Sequence, residues 1–372
     1  MRTAKVVAKQ LPGKRDSGGR QRIGAFLDYY SMRFDRIDVY GFGDCEFESD
    51  NVHIHSFTLP HLNPSRLLTE SAFVSKWKSV EMSRAIALDL GPTDYLHVDF
   101  PQMMVNVPRA RRVNVLDFHN LEFQRVKSLI SDWPAPFRYL AELEAVRLRR
   151  FEVRSAHRAE WVTTCSAEDS RVLQQAGART LLIPNGVTNP PASWVPPPRS
   201  KTALYVGSMD YAPNVQGLKW LLRTVWPVVR ASEPRARLIV AGRQAYRVAS
   251  LLANVPNAYV CDSPESLTSL YQDADLCVVP LQGGGGTKIK LLEGISYGLP
   301  IVTTSFGLQG MPEVEEFVFR ADTGPEFAHA ILGVFSAPPD AARSRALFDR
   351  ASTSIGWNSR LSPLDDLVKR FG

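Results

Sequence analysis

The chain has 372 residues, 44% of them hydrophobic and 22% charged. These are the proportions of a folded globular protein and exclude a disordered or fibrous one, and the length suits two domains better than one core. The excess of 44 Lys and Arg over 38 Asp and Glu leaves a net charge of +6, compatible with anionic nucleotides or an anionic membrane face. Arg147, Arg149, Arg150 and Arg154 alternate with Glu142, Glu144 and Glu152, the mixture of a solvated helix face, and no zinc-finger or RNA-binding signature is present, so nucleic acid is not expected. No window approaches the roughly 18–20 apolar residues of a membrane span, and Met1 to Gln10 lacks the pattern of a secretory leader, which points to the cytoplasm. Cys45, Cys165, Cys261 and Cys277 are scattered without metal-ligand spacing and read as structural thiols.

In chain order, short apolar runs at 37–40, 52–55, 94–98 and 113–117 read as strands, with a helical stretch over 67–90. A long helix is expected over 136–156, a strand over 161–165, a short helix over 169–175 and a strand over 180–184. Residues 189–200 then hold five prolines and no periodic pattern, and read as a linker. The rhythm restarts with strands at 203–207, 236–242, 259–261, 275–280 and 300–304, and helices at 215–230, 267–272 and 288–297. Near-continuous apolar strands alternating with helices require parallel sheets covered on both faces. The expected architecture is α/β, two doubly wound domains with ligands bound beyond the carboxyl ends of their strands.

The sharpest local feature runs from Leu281 to Glu293. A strand ends at Pro280, Gly283 to Gly286 follow, and a helix opens near Thr287. Glycines let backbone approach a ligand, and a helix start offers unpaired N–H groups with a favourable dipole, an arrangement that suits an anion. Lys290 and Glu293, three residues apart, share one helical face; the cation suits a diphosphate and the carboxylate suits paired ribose hydroxyls. The segment is neither a P-loop nor a first-turn dinucleotide fingerprint. Arg243 directly follows a strand end and can add charge there. Asp273 and Asp275 spell a DxD, but Asp275 opens a buried strand, so no metal is assigned.

From Tyr205 to Pro312 the chain resembles the donor-binding domain of GT-B glycosyltransferases of family 4. The resemblance is carried by Val206 to Asn214, by Trp226-Pro227, by Ala274 to Pro280, by Gly286 to Gly294 and by Tyr297 to Val302. In the first half, Gly18-Gly19-Arg20-Gln21-Arg22 resembles the family's glycine-rich loop, Asp117 to Glu122 its HNxE segment, and Ile183 to Val187 its PNGV turn. The resemblance implies an acceptor domain over 1–188, a linker over 189–200 and a donor domain over 201–350. It also implies two Rossmann-like domains facing a central cleft, with 351–372 returning as a helix to the first.

By the same resemblance, His119 and Lys290 are the catalytic candidates, His119 touching the donor sugar near its reacting carbon. Donor contacts fall on Gly18, Gly19, Gly207, Ser208, Asn214, Arg243, Gly285, Gly286, Thr287, Lys288 and Glu293, and Arg20, Arg22, His97 and Asp99 lie on the acceptor side. The chain departs from the family in having Gly285 where many members carry the first of two glutamates, and Ser208 to Asn214 where many carry an Arg and Lys pair.

The implied activity is transfer of a sugar, with retention, from a nucleoside diphosphate sugar to an acceptor hydroxyl, with no cofactor and no metal, in bacterial-type glycan biosynthesis. Amides of 285–287 and the Lys290 ammonium would stabilise the departing diphosphate. The alternatives are a nucleotide-sugar epimerase or sugar phosphorylase on the same fold, and a non-catalytic partner protein. The acceptor, a glycan, a lipid-linked sugar or a small molecule, is not legible. The basic and aromatic helix bearing Trp133, Phe137, Arg138, Tyr139, Arg147, Arg149 and Arg150 reads as solvated with its aromatics turned inward; the other reading is peripheral contact with the inner face of a membrane.

Overall fold

The computed structural model describes residues 2–13, 18–61, 70–129, 135–187, 191, 193–283, 288–309, 311, 314–315, 318–337 and 341–371. The chain divides into two compact units, Met1–Pro184 with Arg360–Gly372, and Asn185–Ser359.

The first unit is built on seven strands, β1 Thr3–Val7, β2 Arg36–Phe42, β3 Val52–Phe57, β4 Tyr95–Asp99, β5 Val113–Phe118, β6 Ala159–Thr164 and β7 Thr180–Leu182. Their order is β3-β2-β1-β4-β5-β6-β7, with every pair parallel. The order reverses between β1 and β4, which opens a crevice beyond their carboxyl ends. Val7 pairs with Val98 and Asp99 with Asp117, so the residues that follow β1, β4 and β5 emerge side by side. The expected 67–90 helix is two pieces among the described residues, Ala72–Ser75 and Val80–Asp89. Ser79 starts the second by accepting the Met82 N–H at 3.2 Å.

The second unit repeats the scheme with β8 Thr202–Val206, β9 Arg237–Gly242, β10 Ala258–Asp262, β11 Leu276–Val279, β12 Ile301–Thr303 and β13 Val318–Arg320. Their order is β10-β9-β8-β11-β12-β13, all parallel, with the switch between β8 and β11. Strand side chains alternate between two apolar layers. Ala203, Tyr205, Leu238, Val240 and Val278 pack on one face and Leu204, Val206, Ile239, Ala241 and Cys277 on the other. This burial on both faces is why the strands read as unbroken apolar runs.

Two expected helices are interrupted, each at a proline. The 215–230 stretch runs as Ala212–Trp220, a π turn at Leu221–Val225 and Trp226–Ser232, because Pro227 has no N–H for the preceding turn. The buried Trp226 beside it contributes about 1.5–3 kcal/mol by leaving water. The chain end is likewise Trp357–Leu361 and Asp365–Lys369 around Pro363, not one helix. The second piece is held in the first unit, where Asp365 accepts from Tyr29 Oη at 2.6 Å and pairs with Arg33 at 2.9 Å.

One surface expectation is reversed. On helix Ala135–His157 the aromatics Phe137 and Tyr139 do not turn inward but are exposed, together with Leu140, Leu143 and Val146. The buried stripe is instead Ala145, Leu148 and Glu152. Trp133 lies outside the described residues.

Candidate active site

In the first unit the site begins with an aspartate in an apolar strand. Asp117, fully buried near the end of β5, cannot stay ionised there without a partner. Arg22, from helix Gly18–Ser31, supplies one: Nε and Nη2 donate to the two carboxylate oxygens at 2.7 and 2.6 Å. Thr163 Oγ1 donates to the same carboxylate, and Arg22 Nη1 donates to the Ile183 carbonyl at 2.9 Å. Burial works to raise the Asp117 pKa, but the guanidinium prevails and holds the carboxyl well below the usual range.

His119 emerges from the end of β5. Its Nε2 lies 2.8 Å from Asp99 Oδ1 and 3.1 Å from Asp117 Oδ2. Two carboxylate neighbours require this nitrogen to carry the proton and donate. Burial disfavours a charged ring, yet Asp99 and then Asp117 overcome it and raise the His119 pKa. Gly19 lies beside the far edge of the ring, where a methyl built on it would rest in ordinary contact, 3.7 Å from Nδ1. Gly18 opens the same helix, and Arg20 is half-buried on its first turn.

Two residues expected on the acceptor side lie elsewhere. Arg22 is wholly inside the core as the partner of Asp117. His97 is also fully buried, its ring 4.7 Å from that of Phe26 and its Nδ1 2.9 Å from Tyr30 Oη. Burial pushes its pKa down to about 4, so it is a neutral core residue. Asp99 is buried too, but it is joined to His119. Sequence reasoning missed Glu152, which caps the helix Glu122–Leu129 by accepting the Glu122 and Phe123 N–H groups at 2.9 and 3.4 Å. Burial pushes this carboxyl up to about 8. No local signal marked it, since the contact spans two helices.

In the second unit Lys290 lies beside Gly207, which follows β8. Lys290 Nζ donates to Asn214 Oδ1 at 2.8 Å, and Asn214 Nδ2 donates to the Ser208 carbonyl at 2.9 Å. A methyl on Gly207 would come within 2.8 Å of Asn214 Nδ2 and 2.9 Å of Lys290 Nζ. Glycine is therefore what lets the ammonium approach this strand end. Burial lowers the Lys290 pKa to about 7 and that of Lys288 to about 8. Lys288 Nζ lies 4.8 Å from the centre of the Phe306 ring.

Glu293, one turn along helix Ile289–Ser296, accepts from Tyr271 Oη at 2.8 Å, and Tyr271 stacks on Tyr297 at 4.8 Å. Gly242 has φ +135°, and its place is set by the Gly207 carbonyl, 2.3 Å from where a side chain would begin. Arg243 then turns to Ser208 Oγ at 2.9 Å and Asp210 at 3.2 Å, so part of its charge is already met. Gly285, Gly286 and Thr287 lie outside the described residues.

Among the described residues, Asp38, His55 and Asp89, and Asp99, Asp117 and His119, bring three ligand atoms within 4.8 Å of one another. Each group already contains cations. Lys5 reaches Asp38 at 2.9 Å and Asp89 at 2.5 Å, Arg36 pairs with Asp38 at 2.8 Å, and Arg22 holds Asp117. These carboxylates are therefore met by side chains of the protein itself.

Residues 200–337 match the family described as glycosyl transferases group 1. A protein of Klebsiella pneumoniae described as an uncharacterized 44.6 kDa protein in the cps region is 30% identical over 115 residues, which span 29% of this chain and 30% of that protein. Among solved structures, WaaG, a glycosyltransferase involved in lipopolysaccharide biosynthesis, superposes with a TM-score of 0.70 at 14% identity, covering 98% of this chain and 99% of its own. Sucrose-phosphate synthase from Thermosynechococcus elongatus gives 0.67 at 16% identity over 99% and 98% of the two chains. The Anabaena HepE protein in complex with UDP-glucose gives 0.65 at 15% identity over 98% and 99%. The chain thus has the GT-B fold, and its residues 200–337 are similar to the glycosyl transferases of group 1.

Proposed function

We propose that this protein is a glycosyltransferase that moves a hexosyl group from a nucleoside diphosphate sugar to an acceptor hydroxyl, with retention of anomeric configuration. The observation that carries the reading is Lys290. It is a desolvated ammonium at a glycine-lined strand end, one turn from a carboxylate, inside the segment that matches group 1 glycosyltransferases. As the diphosphate departs it gains negative charge, and Lys290 with Lys288 would stabilise that charge where it develops. Amides of residues 285–287 are proposed to join them, and Glu293 to receive the ribose hydroxyls. His119, with a raised pKa and its proton held toward Asp99, is proposed to contact the sugar. The leaving phosphate then accepts the acceptor's proton. A role in bacterial polysaccharide assembly at the cytoplasmic side of a membrane is supported by the cps-region relative and by the exposed apolar face of Phe137, Leu140 and Leu143 beside Arg147 and Arg150.

The test is thermal stability against UDP, GDP, ADP, CDP and TDP, with Glu293→Ala beside the native chain. One diphosphate should stabilise selectively, by about 2.7 kcal/mol at a hundredfold excess over Kd, and less in the variant. Absence of any shift across the panel overturns the reading. Conversion of a nucleotide sugar without acceptor would replace transfer by epimerisation.

A further inference from the structure

The crevice of the first sheet, between the carboxyl ends of β1 and β4, holds side chains that donor binding does not use. Lys9 follows β1, and its ammonium lies 4.2 Å from the centre of the Phe100 ring and 5.0 Å from that of Trp77. Phe100 follows β4, and its ring is 3.9 Å from that of His119. One aromatic ring therefore touches both Lys9 and the candidate catalytic histidine. A second cation, the exposed Lys76, stands 5.3 Å from the Trp77 ring.

Phe100 adopts φ 72° and ψ 131°. A bulky residue enters that region only under constraint, at a cost of about 1–3 kcal/mol, and such strain concentrates at ligand sites. The carboxylates that act on Lys9 are engaged elsewhere. Asp99 binds His119 at 2.8 Å, and Glu122 binds Arg125 at 2.6 Å and Asn120 at 2.7 Å. Among the described residues neither Lys9 nor Lys76 has a carboxylate within 4.0 Å. Burial lowers the Lys9 pKa, a penalty that a bound anion would relieve. Nearby, Arg22 and Arg125 are already paired with Asp117 and Glu122, so the charge these two lysines present to the crevice is not met by those carboxylates.

We propose that Lys9 and Lys76, with Trp77 and Phe100, form a subsite for an anionic substituent of the acceptor sugar, a phosphate or a carboxylate, placed one aromatic ring away from His119. The proposal rests on the transferase reading and names the acceptor class that the reading leaves open.

Reductive methylation with carbon-13 keeps lysine charge and gives each lysine a signal, with Lys9, Lys76 and Lys290 assigned by Lys→Arg variants. The full chain is titrated with glucose 6-phosphate, glucuronate, inorganic phosphate and glucose. The Lys9 and Lys76 signals should move together with one or both anionic sugars and stay still with glucose, and Lys9→Gln should weaken binding about tenfold. The glucose 6-phosphate and glucuronate arms tell phosphate from carboxylate. Lys76→Gln, at an exposed position, repeats the test should Lys9→Gln not fold. A Lys9 signal that ignores every anionic sugar, or that responds equally to inorganic phosphate, overturns the subsite. UDP added to the same sample reads Lys290. Movement there with Lys9 silent refutes the subsite alone, whereas movement of Lys9 with Lys290 silent through the whole nucleotide panel supports the subsite and refutes the donor reading.

Discussion

Replacing Arg22 by methionine removes the guanidinium and keeps an unbranched apolar side chain of similar reach. Asp117 then loses two hydrogen bonds, at 2.7 and 2.6 Å, while remaining fully buried. Thr163 and His119 still reach it, but neither carries a fixed positive charge. Breaking a buried pair by removing one partner costs about 3–5 kcal/mol, because the surviving charge is left uncompensated. For a unit of this size that corresponds to a fall in Tm on the order of 10 °C. Hydrogen exchange should place the loss in β5, β6 and helix Gly18–Ser31.

The sign with pH follows from Asp117. In the native chain its pKa is depressed, so its contribution is present above the unfolded carboxylate value and is lost as pH falls through the folded one. In the variant the buried carboxyl rises instead and takes up a proton, so the gap between the two proteins should narrow as pH falls from 7 toward 5. Melting curves at both pH values measure this. A variant that melts within a degree or two of the native chain at pH 7 would refute the claim that the Arg22 guanidinium is what holds the buried Asp117 charge.

Three further outcomes are expected. Asp99→Asn should lower the His119 pKa, because the nearest carboxylate facing the ring is removed, as read by histidine NMR. The raised native pKa contributes stability that is full below about 6.5 and fades as pH rises through the folded value, and that dependence should shrink in the variant; an unchanged titration would dismiss the Asp99 contact. Diphosphate affinity, followed by calorimetry, should weaken as pH rises through the Lys290 pKa of about 7, and Lys290→Met should flatten that dependence and slow transfer by about 10²–10³-fold. Gly242→Ala should destabilise the second unit severely, since a side chain would meet the Gly207 carbonyl at 2.3 Å in a left-handed backbone. Gly207→Ala should instead displace Lys290 and weaken diphosphate binding with a smaller change in Tm; equal losses in the two glycine variants would contradict this division.

Much of the fold was legible because burial on both faces leaves a one-dimensional mark. Runs such as Leu238 to Gly242 and Leu276 to Val279 are apolar along their whole length, and parallel pairing makes them so. The helix interruptions at Pro227 and Pro363 were visible as residues, but their consequence depended on whether packing would hold the helix together across the gap. The ordered motif around Lys290 and Glu293 was legible for the same local reason, being one strand end and one helix close together in the chain.

The polar wiring was decided only in three dimensions. Arg22 and Asp117 are 95 positions apart, so the sequence could show a charged residue near a glycine loop but not that its partner sat buried on β5. His97 and His119 look alike as histidines near strand ends. Tertiary packing enclosed His97 with Phe26 and Tyr30, and left His119 partly accessible at the strand end. Lys9, Phe100 and Trp77 meet because the strand order reverses between β1 and β4, a fact of topology that no single segment encodes. Local pattern by itself determined the elements, because each strand or helix answers to its own neighbours in the chain. Which charges were paired and which were left facing a crevice was set by the sheet order, which brings distant residues within the few ångströms over which a buried charge must find its partner.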